Sequence, residues 1–364
     1  MSDTDFMRAA LALARRGLGQ TAPNPSVGCV IVNKGNVVGR GFTAPGGRPH
    51  AEVMALRAAG ERARGGTAYV TLEPCSFSGK SGPCTDALIS AGLSRVVLGA
   101  QDPHPKVNGL GVAQLKSAGI LVTENVLKEE CEAVIAGFAA VQREQRPLLR
   151  LKLATSLDGC IATSGRESQW ITGPEARLAV HAMRGRHDAV LTGVGTVLDD
   201  NPELTCRIEG FRTVPLIRIV VDSHLRTPLL SKLVRGAAEH PLWILHRDGA
   251  DKLRRRALED AGAKLFELPG SSAGVDLSAG MQALARAGIT RVLAEGGGTL
   301  AAGLLRAKLV DRISWFHAPC IIGGDGYSAV QAFGISRLED APRFALASAK
   351  RLGHDMLSQF RRVE

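Results

Sequence analysis

Two α/β domains in series are predicted for this chain, on three observations. Its 364 residues are enough for two separate cores. In both halves, short β-rich runs alternate with stretches of helical periodicity, the pattern of an α/β sandwich with a partly parallel sheet. Between the halves, Gln142-Arg143-Glu144-Gln145-Arg146-Pro147 is polar, charged and closed by proline, as a linker would be. The expected domains are 1–146 and 147–364.

In the first half, residues 6–16 carry apolar side chains at helical spacing and stop at Gly17 and Gly19. Residues 27–32 and 37–42 read as strands joined through Lys34-Gly35-Asn36, a hairpin signal. A helix is expected to open at His50 and run to about residue 64, with His50 and Met54 on one face. A strand over 67–72 leads to a helical segment beginning at Pro74. Cys75 would then lie near a helix N-terminus, where thiolate is favoured. Helices over 85–91, 112–118 and 128–140, with strands over 95–99 and 120–123, complete the half.

The second half opens with a strand over 148–154 and a helix over 174–184, proline in its first turn and arginine near its end. A strand over 188–192 follows. No Gly-x-Gly-x-x-Gly fingerprint follows any strand, which argues against a standard Rossmann domain. Glycine-rich turns do occur, at Thr192-Gly193-Val194-Gly195-Thr196 and at Glu295-Gly296-Gly297-Gly298-Thr299, the second opening a helix through 305. Bare amides there suit a phosphate, and a simple turn would look the same. Strands over 310–316, 344–351 and 354–361 complete a sheet.

Lys and Arg outnumber Asp and Glu by 45 to 35. That excess fits nucleic acid, phosphorylated small molecules or a solvated basic surface. The basic residues are scattered and aromatic residues are scarce, which argues against a stacking platform for single strands. Seven widely spaced cysteines suit a reducing cytosol better than a disulfide framework. The acidic start Met1-Ser2-Asp3-Thr4-Asp5 is unlike a signal peptide, and no stretch approaches the roughly 20 apolar residues of a membrane span. A cytoplasmic location is expected.

The chemistry concentrates in Pro49-His50-Ala51-Glu52-Val53, Thr71-Leu72-Glu73-Pro74-Cys75 and Cys84. One imidazole and two thiols leave the fourth position of a tetrahedral zinc open, as a catalytic site requires. Glu52, two residues after His50, is placed to shuttle protons while hydroxide attacks an amidine-like ring carbon and the amine departs. The base-deaminase signature continues Pro-Cys-x-x-Cys, whereas here eight residues separate Cys75 from Cys84. Two bland readings compete: cysteines that merely pack, or a closed zinc knot with His104 as the fourth ligand.

The wide spacing, with Pro23-Asn24-Pro25-Ser26-Val27-Gly28-Cys29-Val30-Ile31-Val32, Tyr69-Val70-Thr71-Leu72-Glu73-Pro74-Cys75 and Asp102-Pro103-His104-Pro105, resembles the bacterial bifunctional riboflavin-biosynthesis deaminase-reductases. In the second half, Leu151-Lys152-Leu153-Ala154-Thr155-Ser156-Leu157-Asp158-Gly159, Trp170-Ile171-Thr172, Asp222-Ser223 and Glu295-Gly296-Gly297 resemble the reductase part of that family. The resemblance implies an N-terminal cytidine-deaminase-like α/β/α sandwich and a C-terminal dihydrofolate-reductase-like α/β domain. It implies Zn2+ and NADPH as cofactors, and a phosphorylated ribosylamino pyrimidine as substrate. The pyrimidine would be deaminated and its ribosyl group then reduced to ribityl.

By this resemblance His50, Cys75 and Cys84 bind zinc, Glu52 is the proton donor, and Asn24 and Lys80 hold substrate. NADPH would lie against Ala154, Trp170, Thr196, Asp200, Ser223, Gly297, Gly298, Thr299, Leu300 and Gly303. Substrate would meet Ser168, Arg184, Leu204, Arg207 and Glu295, with Arg184 and Arg207 as forked phosphate donors. Lys152 or Asp200 would assist protonation as the sugar opens. A dimer through the reductase domain, with no nucleic-acid or membrane partner, is the family expectation. Departures are Thr43 and Phe77 where histidine is common and His104 where asparagine is common. Milder ones are Cys160, Ala179 and Asp199. Two other readings stay open: a nucleic-acid base deaminase with an accessory domain, and a catalytically silent first half in which zinc is structural.

Overall fold

The computed structural model describes residues 1–77, 82–105, 107–271 and 274–363. The chain divides into two compact units, Met1–Gln145 and Arg146–Glu364.

The first unit begins with helix α1 (Asp3–Arg16), capped reciprocally by Ser2 and Asp5 and burying Phe6, Met7, Ala10, Leu11 and Ala14. Strands β1 (Gly28–Asn33) and β2 (Asn36–Phe42) form a hairpin through Lys34 and Gly35, both at positive φ. Then come α2 (Ala51–Ala59), β3 (Thr67–Leu72), α3 (Cys84–Ser90), β4 (Arg95–Ala100), α4 (Leu110–Ser117), β5 (Leu121–Thr123) and α5 (Lys128–Glu144). The sheet order is β2-β1-β3-β4-β5, with β1 antiparallel to both neighbours and β3, β4 and β5 parallel. Helix α2 lies almost on the backbone of β2. A Cβ on Gly41 would come 2.4 Å from the Ala51 carbonyl, so only glycine admits the helix start this close.

Three local expectations are corrected here. His50 is the N-cap of α2 rather than its first helical residue, and the helical stretch to about 64 is divided: α2 ends at Ala59, where Gly60 turns to positive φ, and a 3-10 turn over Gly60–Ala63 follows. No helix begins at Pro74. The thiol at a helix N-terminus is that of Cys84, the first residue of α3. Helix α5 continues through Glu144, absorbing half of the expected linker before Gln145 turns left-handed.

The second unit runs β6 (Leu148–Thr155), β7 (Cys160–Ala162), α6 (Pro174–Gly185), β8 (Ala189–Gly193), α7 (Val194–Asp200), β9 (Ile217–Val221), α8 (Lys232–Arg235), β10 (Leu242–Arg247), α9 (Lys252–Asp260) and β11 (Lys264–Leu268). It continues with β12 (Gly270–Ser271), β13 (Gly274–Val275), α10 (Leu277–Arg286), β14 (Arg291–Glu295), α11 (Gly298–Arg306), β15 (Arg312–His317), β16 (Tyr327–Ser328), β17 (Phe344–Leu352) and β18 (Asp355–Arg362). The elements between α7 and β14 fall in a stretch to which the sequence reading assigned none.

The main sheet has the order β11-β10-β9-β8-β14-β6-β15-β18-β17, parallel from β11 to β15 and antiparallel beyond. Its central strands are apolar on both faces. Leu149, Leu151, Ile219 and Val292 join one buried cluster, and Val190, Val220, Ile244 and Leu293 another. Because β14 inserts between β8 and β6, the carboxyl ends of these three strands gather both glycine-rich turns. That is where an open α/β sheet binds ligands.

Candidate active sites

In the first unit the backbone of His50 starts α2 while its side chain turns away, making no cap. Its Nδ1 lies 3.3 Å from Cys84 Sγ and 3.7 Å from Cys75 Sγ. The Cys84 amide donates to Cys75 Sγ at 3.4 Å. All three donor atoms fall within 4.8 Å of one another. A tetrahedral zinc, at about 2.3 Å from sulfur and about 2.0–2.1 Å from nitrogen, sets its ligand atoms roughly 3.5–3.8 Å apart. The set therefore fits that ion in both chemistry and span. His104 is not part of this cluster; its ring stacks on Phe77, centroids 5.8 Å apart.

The thiol pair is polarised. Hydrogen bonding from Cys84, then from His50, pulls Cys75 down to about 4. The same contact, followed by burial, pushes Cys84 well above the ordinary thiol range. Glu52 is 4% exposed, and burial, reinforced by the negative Cys75, lifts its carboxyl to about 7. A carboxyl poised near neutrality can take a proton and return it, as general acid–base work requires.

Glu52, His50 and Cys75 open on a cavity of about 270 Å³ that also meets Asn24, Thr43 and Asp102. Asn24 is oriented by donating to the Gly47 carbonyl at 2.8 Å, and Thr43 Oγ1 accepts the Val27 amide at 3.0 Å. Phe77 and His104 line it too, so all three departures from the family pattern share one wall system. Lys80 lies outside the described residues. Sequence reasoning assigned no role to Asp102, though its Asp-Pro-His-Pro turn was a usable signal. Burial pushes its carboxyl up to about 6.

In the second unit, Glu295 closes β14, with Lys152 of β6 beside it and Ser314 of β15 beyond. Arg184 of α6 donates to Glu295 Oε1 at 2.7 Å and Oε2 at 3.0 Å, and to the Thr205 carbonyl at 3.1 Å. Arg184 thus comes already paired, where the sequence suggested a free phosphate grip. Burial lowers the Lys152 pKa, Glu295 opposing and Arg184 adding to the shift. Arg207 pairs with Glu203 on the surface, and Leu204 is buried in the core.

Gly193 and Gly297 are the N-caps of α7 and α11, neither with a side-chain cap, so both first turns present bare amides. No atom lies within 4 Å of a Cβ built on Gly195 or Gly297, while the buried Thr192 Oγ1 between the turns has no partner. An open cradle with unsatisfied donors suits a dinucleotide's phosphates. Thr196 and Asp200 lie on α7, and Gly298, Thr299 and Leu300 form the first turn of α11. Gly303 instead faces α10, where a Cβ would come 3.2 Å from Leu277. Ser223 follows β9 and accepts the Val275 amide at 3.1 Å. Ala154 lies in β6, opposite Phe316. Trp170 is 69% exposed, with the Arg177 guanidinium 4.7 Å above its ring, and the Ser168 carbonyl accepts the Ile171 amide at 3.3 Å.

Fold and sites together define a two-part enzyme, a zinc deaminase followed by a nicotinamide-dependent reductase. Residues 1–100 match the cytidine and deoxycytidylate deaminase zinc-binding region, and residues 147–358 match the RibD C-terminal domain. The riboflavin biosynthesis protein RibD of Escherichia coli is 41% identical, over 98% of each chain. The Acinetobacter baumannii RibD structure superposes with a TM-score of 0.89 at 35% identity, covering 100% of this chain and 99% of that one. A Thermotoga maritima structure, a diaminohydroxyphosphoribosylaminopyrimidine deaminase/5-amino-6-(5-phosphoribosylamino)uracil reductase, gives 0.87 at 32% identity, covering 99% of each. The chain belongs to the RibD family, the bifunctional deaminase-reductases of riboflavin biosynthesis, which use Zn2+ and NADPH. Among the described residues no helix is long and apolar enough to cross a membrane.

Proposed function

We propose that the first unit deaminates the diaminopyrimidine carrying a ribosylamino phosphate, and that the second reduces the product's ribosyl group to give 5-amino-6-(5-phosphoribitylamino)uracil. The observation that carries this reading is the His50, Cys75 and Cys84 cluster with Glu52 beside it in one cavity. His50, Cys75 and Cys84 hold the zinc, which when bound acidifies a water molecule. Glu52 takes the water's proton and delivers it to the amino nitrogen. The ring carbon gains oxygen, its C–N bond breaks and ammonia leaves. Asn24, and Lys80 beyond the described residues, hold the substrate.

In the second unit Ala154, Trp170, Thr196, Asp200, Ser223 and residues 297–303 would hold NADPH, which when bound would supply the hydride. Ser168, Leu204, Arg207 and the paired Arg184 and Glu295 orient the opened sugar. Lys152, whose buried amine gives up its proton more readily than a surface lysine, serves as proton source. The deaminase domain spans 1–146 and the reductase domain 147–364, in a cytoplasmic enzyme that dimerises through the reductase and binds neither nucleic acid nor membrane.

The test follows ammonia and NADPH separately on the purified chain supplied with the pyrimidine substrate. Both should turn over, and zinc chelation should stop ammonia while leaving reduction of supplied deaminated intermediate intact. NADPH oxidation only on supplied intermediate would mean a silent first unit, and the absence of both activities would overturn the proposal.

A further inference from the structure

The segment after β4 contributes Asp102 and His104 to the cavity lining, yet α4, which follows it, has no side-chain cap of its own. Its N-cap is Gly109, at φ +91 and without a side chain to satisfy the first-turn amides. The Leu110 amide turns back to the Val107 carbonyl, and the amides of Gly109 and Val112 are satisfied from a distant part of the chain. Glu73, just past β3 and 3% exposed, accepts the Gly109 amide at 3.0 Å on Oε2 and the Val112 amide at 3.1 Å on Oε1. Oε2 also accepts the Asp102 amide at 3.3 Å. The Glu73 amide in turn donates to the Ala100 carbonyl at 2.9 Å, so backbone and side chain grip the same connection.

The consequences reach the cavity on both sides. Asp102, pinned through its amide, accepts the His104 amide on Oδ1 at 2.8 Å, and the His104 ring stacks on Phe77. Two residues beyond Glu73 is Cys75, and two beyond that is Phe77. One carboxylate therefore stands between the metal-ligand segment and the wall formed by Asp102 and His104. A carboxylate is suited to this because it only accepts; at a helix start its charge also meets the positive end of the dipole. Glutamine would turn an NH2 toward amide donors.

We propose that Glu73 is a positioning residue for the deaminase: it caps α4 in trans and thereby holds Asp102 and His104 where the substrate's pyrimidine is bound. This rests on the reading of the cavity as the deaminase site. Glu73 lines the same cavity but stands outside the His50, Cys75 and Cys84 cluster, and its two carboxylate oxygens are taken up by the three amides.

Glu73→Gln is the first test, made in the full-length zinc-loaded protein. The KM for the pyrimidine should rise about tenfold, as expected for one lost charge-assisted hydrogen bond, while kcat stays within about twofold. Zinc content by metal analysis and NADPH oxidation on supplied intermediate should be unchanged. Gly109→Ala leaves Glu73 intact but strains the cap residue, and it should raise KM in the same way. Hydrogen exchange reads the contact without any activity: the Gly109 and Val112 amides should lose at least about tenfold protection in Glu73→Gln. Unchanged protection would overturn the cap, whatever the enzyme's substrate. A fall in kcat or loss of zinc at unchanged KM would overturn the positioning role. If the unsubstituted chain releases no ammonia, the deaminase reading itself fails, and that result is separate from the exchange measurement.

Discussion

Arg184 and Glu295, 111 residues apart in sequence, meet in the second unit as a nearly buried bidentate pair, Nε to Oε1 and Nη2 to Oε2. Burial alone would push the Glu295 carboxyl up, but the Arg184 charge and its two hydrogen bonds outweigh this and hold it below the ordinary range. Arg184→Leu strands that carboxylate, and a broken buried pair costs about 3–5 kcal/mol. Leu at both positions should recover most of the loss. All three tryptophans lie in this unit, so urea unfolding followed by their fluorescence reports on it directly. The pair's contribution is present above the ordinary carboxylate range and is lost as pH falls through the depressed Glu295 value. Equal stability of the single and double variants would show that the pair is not coupled.

His187 predicts a second acid sensitivity in the same unit. Its Nδ1 meets the Met183 carbonyl at 2.6 Å, and its buried Nε2 has no partner. Burial first, then the charges of Arg150, Arg291 and Arg312, push it down to about 3. The unfolded chain therefore binds a proton near pH 6.5 that the folded chain refuses until about pH 3. Stability from this group is complete above the unfolded value and declines by up to about 1.4 kcal/mol per pH unit below it. His187→Gln should flatten that slope between pH values of about 6 and 4, measured by the same fluorescence. An unaltered slope would remove His187 as its source.

Glu52→Gln should retain zinc and the reductase while ammonia release falls at least about a hundredfold, the scale of a lost general acid–base group. Metal analysis and the two separate assays check it. Undiminished ammonia release would sink the role given to Glu52.

Gly298→Ala probes the cradle at α11. A Cβ there would come 2.4 Å from the Ser328 carbonyl and 3.0 Å from Gln331, so the first turn must shift. The KM for NADPH should rise about tenfold, a change of roughly 1.4 kcal/mol, with ammonia release unaffected. An unchanged KM would place the dinucleotide away from this turn.

Much of the fold was legible because its signals are local. Strand β3 and the starts of α5 and α6 fell where periodicity and proline put them. Between 205 and 290 the sequence yielded single site residues, Arg207 and Asp222-Ser223, but no strand or helix. The strands there, β9 and β10, are buried on both faces and lack the alternation that marks a strand with one wet side. The helix expected at Pro74 failed for a different reason. Nothing local distinguishes a helix start from an extended turn whose conformation is set by the partners of Cys75 and Glu73.

Residue type and short separation already carry the chemistry: an imidazole and a carboxylate in His50-Ala51-Glu52, two thiols with eight residues between them, and glycine turns after strands. Only the tertiary structure decided that Cys84, not Cys75, begins a helix, that Arg184 arrives neutralised by Glu295, and that Glu73 caps a helix it does not belong to. Each of these joins groups distant in the chain. Burial makes every unpaired donor and charge costly, so partners are chosen by what the folded core brings within reach rather than by what stands nearby in sequence.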